Sequence, residues 1–207
     1  MRLLLIFIFL LLIGTVAAFL AHKHQSYVIT KFNQIRLTLL DGQGPDCLIE
    51  LENLGVEFTS LGDQGSKKCP VLNAVRLSSL GQTNISTPVV LSCPAAVKLA
   101  QWAKDIHAEK ITHIGALNCR MMRGRRFMSE HSFGLAIDIT ALDDAIVSKH
   151  WNDKGARGEK LRYAARQACR HFSNVLTPNT NRLHHGHFHF DDGFGYSCDV
   201  APVNQIK

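Results

Sequence analysis

The sequence predicts an α+β protein with a small antiparallel sheet and flanking helices, preceded by an N-terminal membrane segment. Three observations lead to this class. The first 21 residues carry almost no charge, several short segments alternate apolar and polar residues, and two longer segments keep helical spacing. With 207 residues and 46% hydrophobic content, the chain can bury one ordinary core. We therefore expect one domain with an N-terminal appendage.

The N-terminal segment, residues 1–21, reads MRLLLIFIFLLLIGTVAAFLA and has a single charged side chain, Arg2. Two interpretations stay open. A secretory signal would use the small residues from Thr15 to Ala18 as its cleavage site. An uncleaved anchor needs about 20 apolar residues, which this segment nearly supplies. Either one exports the chain, so we expect the domain to lie outside the cytoplasm, anchored in the membrane or released after cleavage.

The folded domain is expected at residues 46–207, after a connector over residues 22–45 that ends in turn residues. Two segments at its start, 47–61 and 69–80, alternate apolar and polar residues and each opens with a cysteine. This alternation is typical of half-buried strands.

Helical spacing and short β-branched segments follow. The segment 92–110 begins with Ser92 as a candidate N-cap and Pro94 in its first turn, and its apolar residues recur as on one face of a helix. The segment 111–117 is short and apolar enough for a central strand, whereas 158–176 returns to helical periodicity.

A strand is also predicted for the segment GLAIDIT, residues 134–140, and it carries Asp138. An ionised carboxylate buried without a partner costs several kcal/mol, so Asp138 needs a cation, a set of donors or a metal. A structural ion pair or a hydrogen-bonded aspartate would also satisfy it. The pattern alone leaves these alternatives open.

A histidine cluster lies in HHGHFHFDD, residues 184–192, which contains His184, His185, His187 and His189. On a strand, His187 and His189 point to the same face. Two imidazoles and one aspartate can form the three protein ligands of a catalytic zinc, which keeps its fourth position open. The alternative is a surface histidine tract without catalysis.

The net charge and its distribution limit the classes of molecule that the chain can bind. The net charge is +6 with a pI near 9.1, and four arginines crowd into CRMMRGRR, residues 119–126, as a solvated loop or a clamp for carboxylates. Because the chain is exported, acidic wall polymers or anionic lipids suit it better than nucleic acid.

Six cysteines without a C-x-x-C pair indicate three disulfides in an oxidising compartment, although buried free thiols are the alternative.

Two linked motifs carry a family resemblance. An S-x-H-x-x-G-x-A-x-D pattern is followed by a late H-x-H, and both resemble the zinc peptidase group that includes lysostaphin, D-Ala-D-Ala carboxypeptidases and Sonic hedgehog. More narrowly, residues 46–200 resemble the C-terminal domain of bacterial extensin-like proteins. The motif residues are Ser129, His131, Gly134, Ala136, Asp138, His187 and His189.

The resemblance implies a hedgehog-like or D-Ala-D-Ala-peptidase-like α+β domain, a mononuclear Zn²⁺ site, and peptidoglycan stem peptides as substrate. By motif position, the zinc ligands would be His131, Asp138 and His189. His187 would face the reacting water and His184 would be a second acid or base. Arg120 and Ser129 would bind the substrate, Arg120 through its carboxylate.

One departure from the family pattern concerns the general base. Relatives place an acidic residue three positions before the last ligand, where this chain has Gly186. A histidine takes the role, or an acid comes from Glu130 or Asp191, or the site binds zinc without turnover. The expected function is therefore a zinc-dependent peptidoglycan peptidase, an endopeptidase or a carboxypeptidase, and the alternative is a non-catalytic, zinc-containing wall-binding module.

The disulfide pairing is left open by the sequence, since six cysteines allow fifteen connectivities. Proximity and motif position suggest Cys47–Cys69, Cys119–Cys169 and Cys93–Cys198.

Overall fold

The computed structural model describes Thr15, Leu20, residues 44–125 and residues 127–200. The chain divides into two compact units, residues 1–42 and 43–207, and nearly all described residues belong to the second. The predicted membrane segment and connector therefore lie almost entirely outside the described residues. Among those described, no helix has the length and apolar character that crossing a membrane requires.

Four α-helices and nine strands form the described part of the second unit. The helices are α1 (Gly44–Asn53), α2 (Cys93–Ile106), α3 (Val147–His150) and α4 (Ala156–Ala168). The strands are β1 (Phe58–Ser66), β2 (Cys69–Leu80), β3 (Thr83–Ser92), β4 (Lys110–Gly115), β5 (Ala136–Leu142), β6 (Ala145–Ile146), β7 (Asn174–Leu176), β8 (Phe188–Asp191) and β9 (Ser197–Cys198). Two 3₁₀ turns are found at Glu130–Phe133 and Arg182–His184.

All nine strands join one sheet in the order β1-β2-β3-β4-β5-β8-β7-β9, with β6 paired to β5. Most neighbours are antiparallel, but β3 with β4 and β7 with β9 are parallel. The predicted α+β class is confirmed, whereas the sheet is larger than predicted and mixed in direction. The predicted central strand is β4, and the predicted strand carrying Asp138 is β5.

The first predicted strand, residues 47–61, is wrong over its first half, which forms helix α1. Cys47 and Leu51 are buried there while Ile49 is exposed. Residues four positions apart share a helix face, so this burial has the helical period. Only the second half of the segment, from Phe58, becomes a strand.

Helix α2 confirms the prediction for residues 92–110, with Ser92 at the N-cap position and a proline in its first turn. Its buried face includes Trp102, whose indole N–H donates to the carbonyl of Ala164 in α4 at 2.8 Å. The bond satisfies a buried donor and fixes α2 against α4.

Strand β8 places alternate side chains in the core and on the opposite face of the sheet. Phe188 and Phe190 are fully buried, and their rings contact Trp151 and Trp102 with centroid distances of 5.5 and 5.1 Å. Because side chains alternate along a strand, His189 lies on the other face. Core packing of the two phenylalanines therefore sets the direction in which His189 points.

Three disulfides are present among the described residues, as the cysteine count predicted, but the suggested pairing is wrong. The bonds are Cys47–Cys93, Cys69–Cys119 and Cys169–Cys198. The suggestion paired Cys47 with Cys69 as neighbours on two strands. Cys47 instead lies on α1, which packs on α2 and so meets Cys93.

Candidate metal centre

The three predicted zinc ligands come from three neighbouring pieces of backbone. His131 lies in the 3₁₀ turn that precedes β5, Asp138 lies on β5, and His189 lies on β8. Asp138 and His189 are directly paired across the two antiparallel strands. Paired residues of adjacent strands place their side chains side by side on one face, so the sheet register brings these two together.

Their inner atoms converge on one point. Nε2 of His131 lies 3.2 Å from Nδ1 of His189 and 3.3 Å from Oδ1 of Asp138. Nδ1 of His189 lies 2.9 Å from the same carboxylate oxygen. One ligand atom from each of the three residues falls within 4.8 Å of the others. Two nitrogens and one carboxylate oxygen at this spacing are a donor set that suits zinc.

The outer nitrogens of both histidines have acceptors of their own. Nδ1 of His131 contacts the carbonyl oxygen of Ala116 at 2.6 Å, and Nε2 of His189 contacts Oδ2 of Asp191 at 2.8 Å. A neutral imidazole carries one N–H, and with a cation at the inner atoms this N–H lies on the outer nitrogen, where the acceptor receives it. Each inner nitrogen is then left with a lone pair, which is the form that binds a metal.

The turn that carries His131 is held by the chain just before it. The backbone N–H of Ser129 donates to the carbonyl of Arg120, and that of Arg120 donates to Oγ of Ser132, each at 3.0 Å. The N–H of Asn118 donates to the carbonyl of His131. These bonds fix the position of the His131 backbone.

Gly134 ends this turn with a φ of 67°, in the left-handed region that favours glycine. A Cβ at this position would lie 2.7 Å from Cγ1 of Val71 and 2.8 Å from the amide nitrogen of Ser92. The glycine of the motif is thus required by both its backbone angle and its close packing on β2 and β3.

The cluster attracts positive charge. Burial disfavours the charged form of Asp138, but the hydrogen bonds and charges of His131 and His189 hold the pKa of Asp138 well below its usual range. Burial also disfavours a charged His189, yet its hydrogen bonds to Asp138 and Asp191 outweigh this and raise the pKa of His189 to about 9. A cation at the inner atoms would interact favourably with the same carboxylate.

Two further histidines lie beside the ligands. Nε2 of His187 is 3.6 Å from Oδ1 of Asp138. The ring of His184 lies 5.4 Å from that of His187 and 5.7 Å from that of His189, and Nδ1 of His184 contacts Oδ1 of Asn181 at 3.0 Å. Burial, with the charges of the neighbouring imidazoles, lowers the pKa of His184 to about 4, and burial lowers that of His187. Both are therefore neutral near pH 7.

The structure places the other predicted residues as follows. Arg120 is exposed on the loop before the His131 turn, whereas Ser129 is buried with 5% of its surface exposed. Gly186 lies between the two candidate acid–base histidines, and an added Cβ would meet only Cβ of Ser148, at 3.9 Å. Asp191, considered above as a source of acid, lies against the outer nitrogen of His189.

Several site residues were missed by the sequence analysis. They are Asn181, Asn174 and the carbonyl of Ala116. Asp191 was named only as a source of acid, although its position two residues after His189, on the same strand face, was a signal that it contacts this ring. The others come from loops and an adjacent strand, which no local pattern connects to the motif.

A mixed α+β domain with a partly buried His, His, Asp cluster is a candidate metal-binding domain. The family model for the extensin-like protein C-terminus matches residues 45–198, and the chain belongs to this family. Neither a search of curated proteins nor a search of solved structures found a match.

Proposed function

We propose that the chain is a zinc-dependent peptidase acting on the stem peptides of peptidoglycan. The observation that carries this proposal is the convergence of His131, Asp138 and His189 with both outer imidazole nitrogens engaged. Three protein ligands leave a position for a reacting group, as in catalytic rather than structural zinc sites. The resemblance to the zinc peptidases of peptidoglycan supports the choice of substrate.

Bound zinc would supply Lewis acidity, which activates water and polarises a peptide carbonyl. The chain's own residues would do the rest. His187, whose Nε2 lies 3.6 Å from Oδ1 of Asp138, is placed to accept the proton of the attacking water. The proton that His187 accepts would then pass to the leaving amine, and His184, which is held by Asn181 with its ring 5.4 Å from that of His187, would orient this transfer. With Gly186 between them, imidazole takes the role that an acidic side chain has in relatives.

Substrate binding is assigned to the loop that precedes the His131 turn. Arg120 is exposed there, and its backbone is bonded to Ser132 and Ser129 of the turn. A guanidinium group matches a carboxylate with two parallel hydrogen bonds, and stem peptides carry free carboxylates. Ser129, being buried, would support this loop through its backbone. An exported domain meets this substrate in the cell envelope, held there by the N-terminal segment or released from it.

The second candidate is a non-catalytic wall-binding module with structural zinc. Two observations favour it: Gly186 offers no acidic side chain, and Nε2 of His187 lies close enough to Asp138 to become a fourth ligand. A closed site with four protein ligands is typical of structural zinc.

The experiment that separates the two is digestion of purified peptidoglycan by the full chain, with added zinc or with chelator, followed by mass analysis of the released muropeptides. Zinc-dependent loss of cross-linked dimers indicates an endopeptidase, and loss of terminal D-alanine a carboxypeptidase. Asp138→Ala should abolish either activity. Asp144→Ala is the control, because Asp144 pairs with Arg157 on the surface.

An unchanged digest by a wild-type chain that binds one zinc would reject the peptidase and favour the binding module. Activity that survives complete zinc removal would reject the metal mechanism.

A further inference from the structure

We propose that Asp191 is a positioning residue, which holds His189 with Nδ1 unprotonated and facing the metal. This inference rests on the metal site proposed above. Oδ2 of Asp191 lies 2.8 Å from Nε2 of His189, while Nδ1 of the same ring faces Asp138 at 2.9 Å. The two carboxylates thus contact opposite nitrogens of one imidazole.

Asp191 is itself held in one orientation. Its Oδ1 accepts hydrogen bonds from the backbone N–H of Gly193 at 2.6 Å and from Nδ2 of Asn174 at 2.8 Å. A Cβ at position 193 would lie 2.6 Å from that oxygen and 2.9 Å from Cγ of Glu130. A side chain at position 193 would therefore displace Asp191 or Glu130. Oδ1 of Asp191 therefore accepts hydrogen bonds from two donors, while Oδ2 contacts the ring of His189.

The sheet provides this arrangement. Asp191 is paired with Asn174 of β7 on one side and with Ala136 of β5 on the other. The next residue, Asp192, is equally buried but has a different partner, Nζ of Lys98 at 2.7 Å. The chain thus offers two adjacent buried aspartates, of which Asp191 is the one hydrogen-bonded to His189.

Hydrogen-bond chemistry then fixes the tautomer. An ionised carboxylate only accepts, so a neutral His189 that gives the lone pair of Nδ1 to the metal donates its one N–H from Nε2 to Asp191. Asp191 does not act as the general base, because both of its oxygens are already engaged.

An isosteric substitution makes this testable. In Asp191→Asn, the single amide oxygen is required by the two donors, Gly193 and Asn174, so the NH₂ group faces Nε2 of His189. Nε2 must then accept, and the imidazole N–H moves to Nδ1, where it blocks the metal. Asp191→Ala removes the partner but imposes neither tautomer. Asn, although closer in shape to Asp, should therefore weaken zinc binding more than Ala does.

The measurement is the zinc dissociation constant of the full chain by competition with a chromophoric chelator, with the melting temperature of each sample. Removing such an outer partner typically costs about 10- to 100-fold in metal affinity. We expect a loss of about this size for Asp191→Ala and a larger one for Asp191→Asn. Asp192→Asn is the matched control and should stay within about threefold of the wild type.

Zinc affinity in Asp191→Asn equal to the wild type, or higher than in Asp191→Ala, would overturn the proposal. A wild-type chain that binds no zinc would instead reject the metal site itself. Gly193→Ala is the second variant, to be used if Asp191→Asn does not fold. It keeps the carboxylate of Asp191, but the added Cβ would displace Oδ1 of that group. A folded Gly193→Ala chain should bind zinc more weakly, and unchanged affinity would also overturn the proposal.

Discussion

His187 lies against the proposed metal ligands, and the part in hydrolysis that we propose for it can be separated from metal binding. Since His131, Asp138 and His189 supply three ligands without it, His187→Ala should still bind zinc. Loss of a general acid–base group typically lowers the rate by about 10²- to 10⁴-fold. We therefore expect hydrolysis to fall by that factor at unchanged zinc content, measured by muropeptide release and metal analysis.

The matched control is His185→Ala, because His185 belongs to the same histidine segment but is exposed. Undiminished cleavage by His187→Ala would remove His187 from the mechanism. Loss of zinc from the variant would make His187 a fourth ligand and favour the wall-binding module.

At the residue scale, the sequence identified the residues of the His, His, Asp cluster better than their supporting partners. His131, Asp138 and His189 follow from a motif with fixed spacing, and the structure brings them together. The role of Asp191 could not be predicted in this way. It depends on which nitrogen of His189 faces inward, and the folded chain shows this only through the contacts of the ring with Asp138 and Asp191.

The disulfide Cys69–Cys119 connects the start of β2 to the loop that supports His131. Residue 119 adjoins Asn118, whose N–H donates to the carbonyl of His131. A bond closing a loop with a sequence separation of 50 contributes about 4 kcal/mol to the free energy of unfolding in the chain-entropy model. Replacing both cysteines by serine should lower stability and also weaken zinc binding, because the turn carrying His131 loses its anchor.

The disulfide Cys47–Cys93 closes a loop of similar length, with a sequence separation of 46, but joins α1 to α2. The control is the variant in which both of these cysteines are replaced. It should lower stability by a similar amount, measured by denaturant unfolding, and leave zinc affinity nearly unchanged. Equal losses of zinc affinity in the two variants would show that the effect comes from general instability rather than from the loop.

At the element scale, α2 and β5 were predicted correctly because each has one clear hydrophobic period. The segment that became α1 fits both periods. Cys47, Ile49 and Leu51 suggest a strand, whereas Leu48, Leu51 and Leu54 suggest a helix. Tertiary packing on α2 decided between them, and the same packing determined the Cys47–Cys93 bond.

The size of the sheet was the main error at the scale of the whole molecule. Strand β3 contains Pro88, which argues against a regular strand in the sequence. In the structure, the pairing of β2 and β3 has an irregularity between Leu77 and Ser79, opposite the segment that contains Pro88, and this accommodates the proline. The parallel pairings, of β3 with β4 and of β7 with β9, join residues far apart in the chain, and no local pattern predicts them.

The architecture also predicts that the fold does not depend on the metal. Most of the buried apolar side chains, such as Trp102, Phe188 and Phe190, pack away from the cluster, and three disulfides restrain the chain. Zinc-free protein should therefore unfold cooperatively, with a far-UV circular dichroism spectrum like that of the zinc-loaded form. Free zinc at 100 times its dissociation constant should add about 2.7 kcal/mol to the free energy of unfolding. For a domain of this size, that is a rise in melting temperature of about 5–11 °C.

The Asp138→Ala variant tests whether this rise comes from the proposed site, because it removes one ligand on an otherwise intact sheet. Its melting temperature should not respond to zinc, while Asp144→Ala should respond as the wild type does. A cooperative transition that disappears with chelator would contradict the prediction, since the ion would then be part of the folding core. Small metal-dependent domains unfold in this way because they lack sufficient apolar core, whereas this domain has a nine-stranded sheet that buries one. An ion that is not needed for folding fits a catalytic role better than a structural one, so this measurement tests the proposed function as well as the stability of the domain.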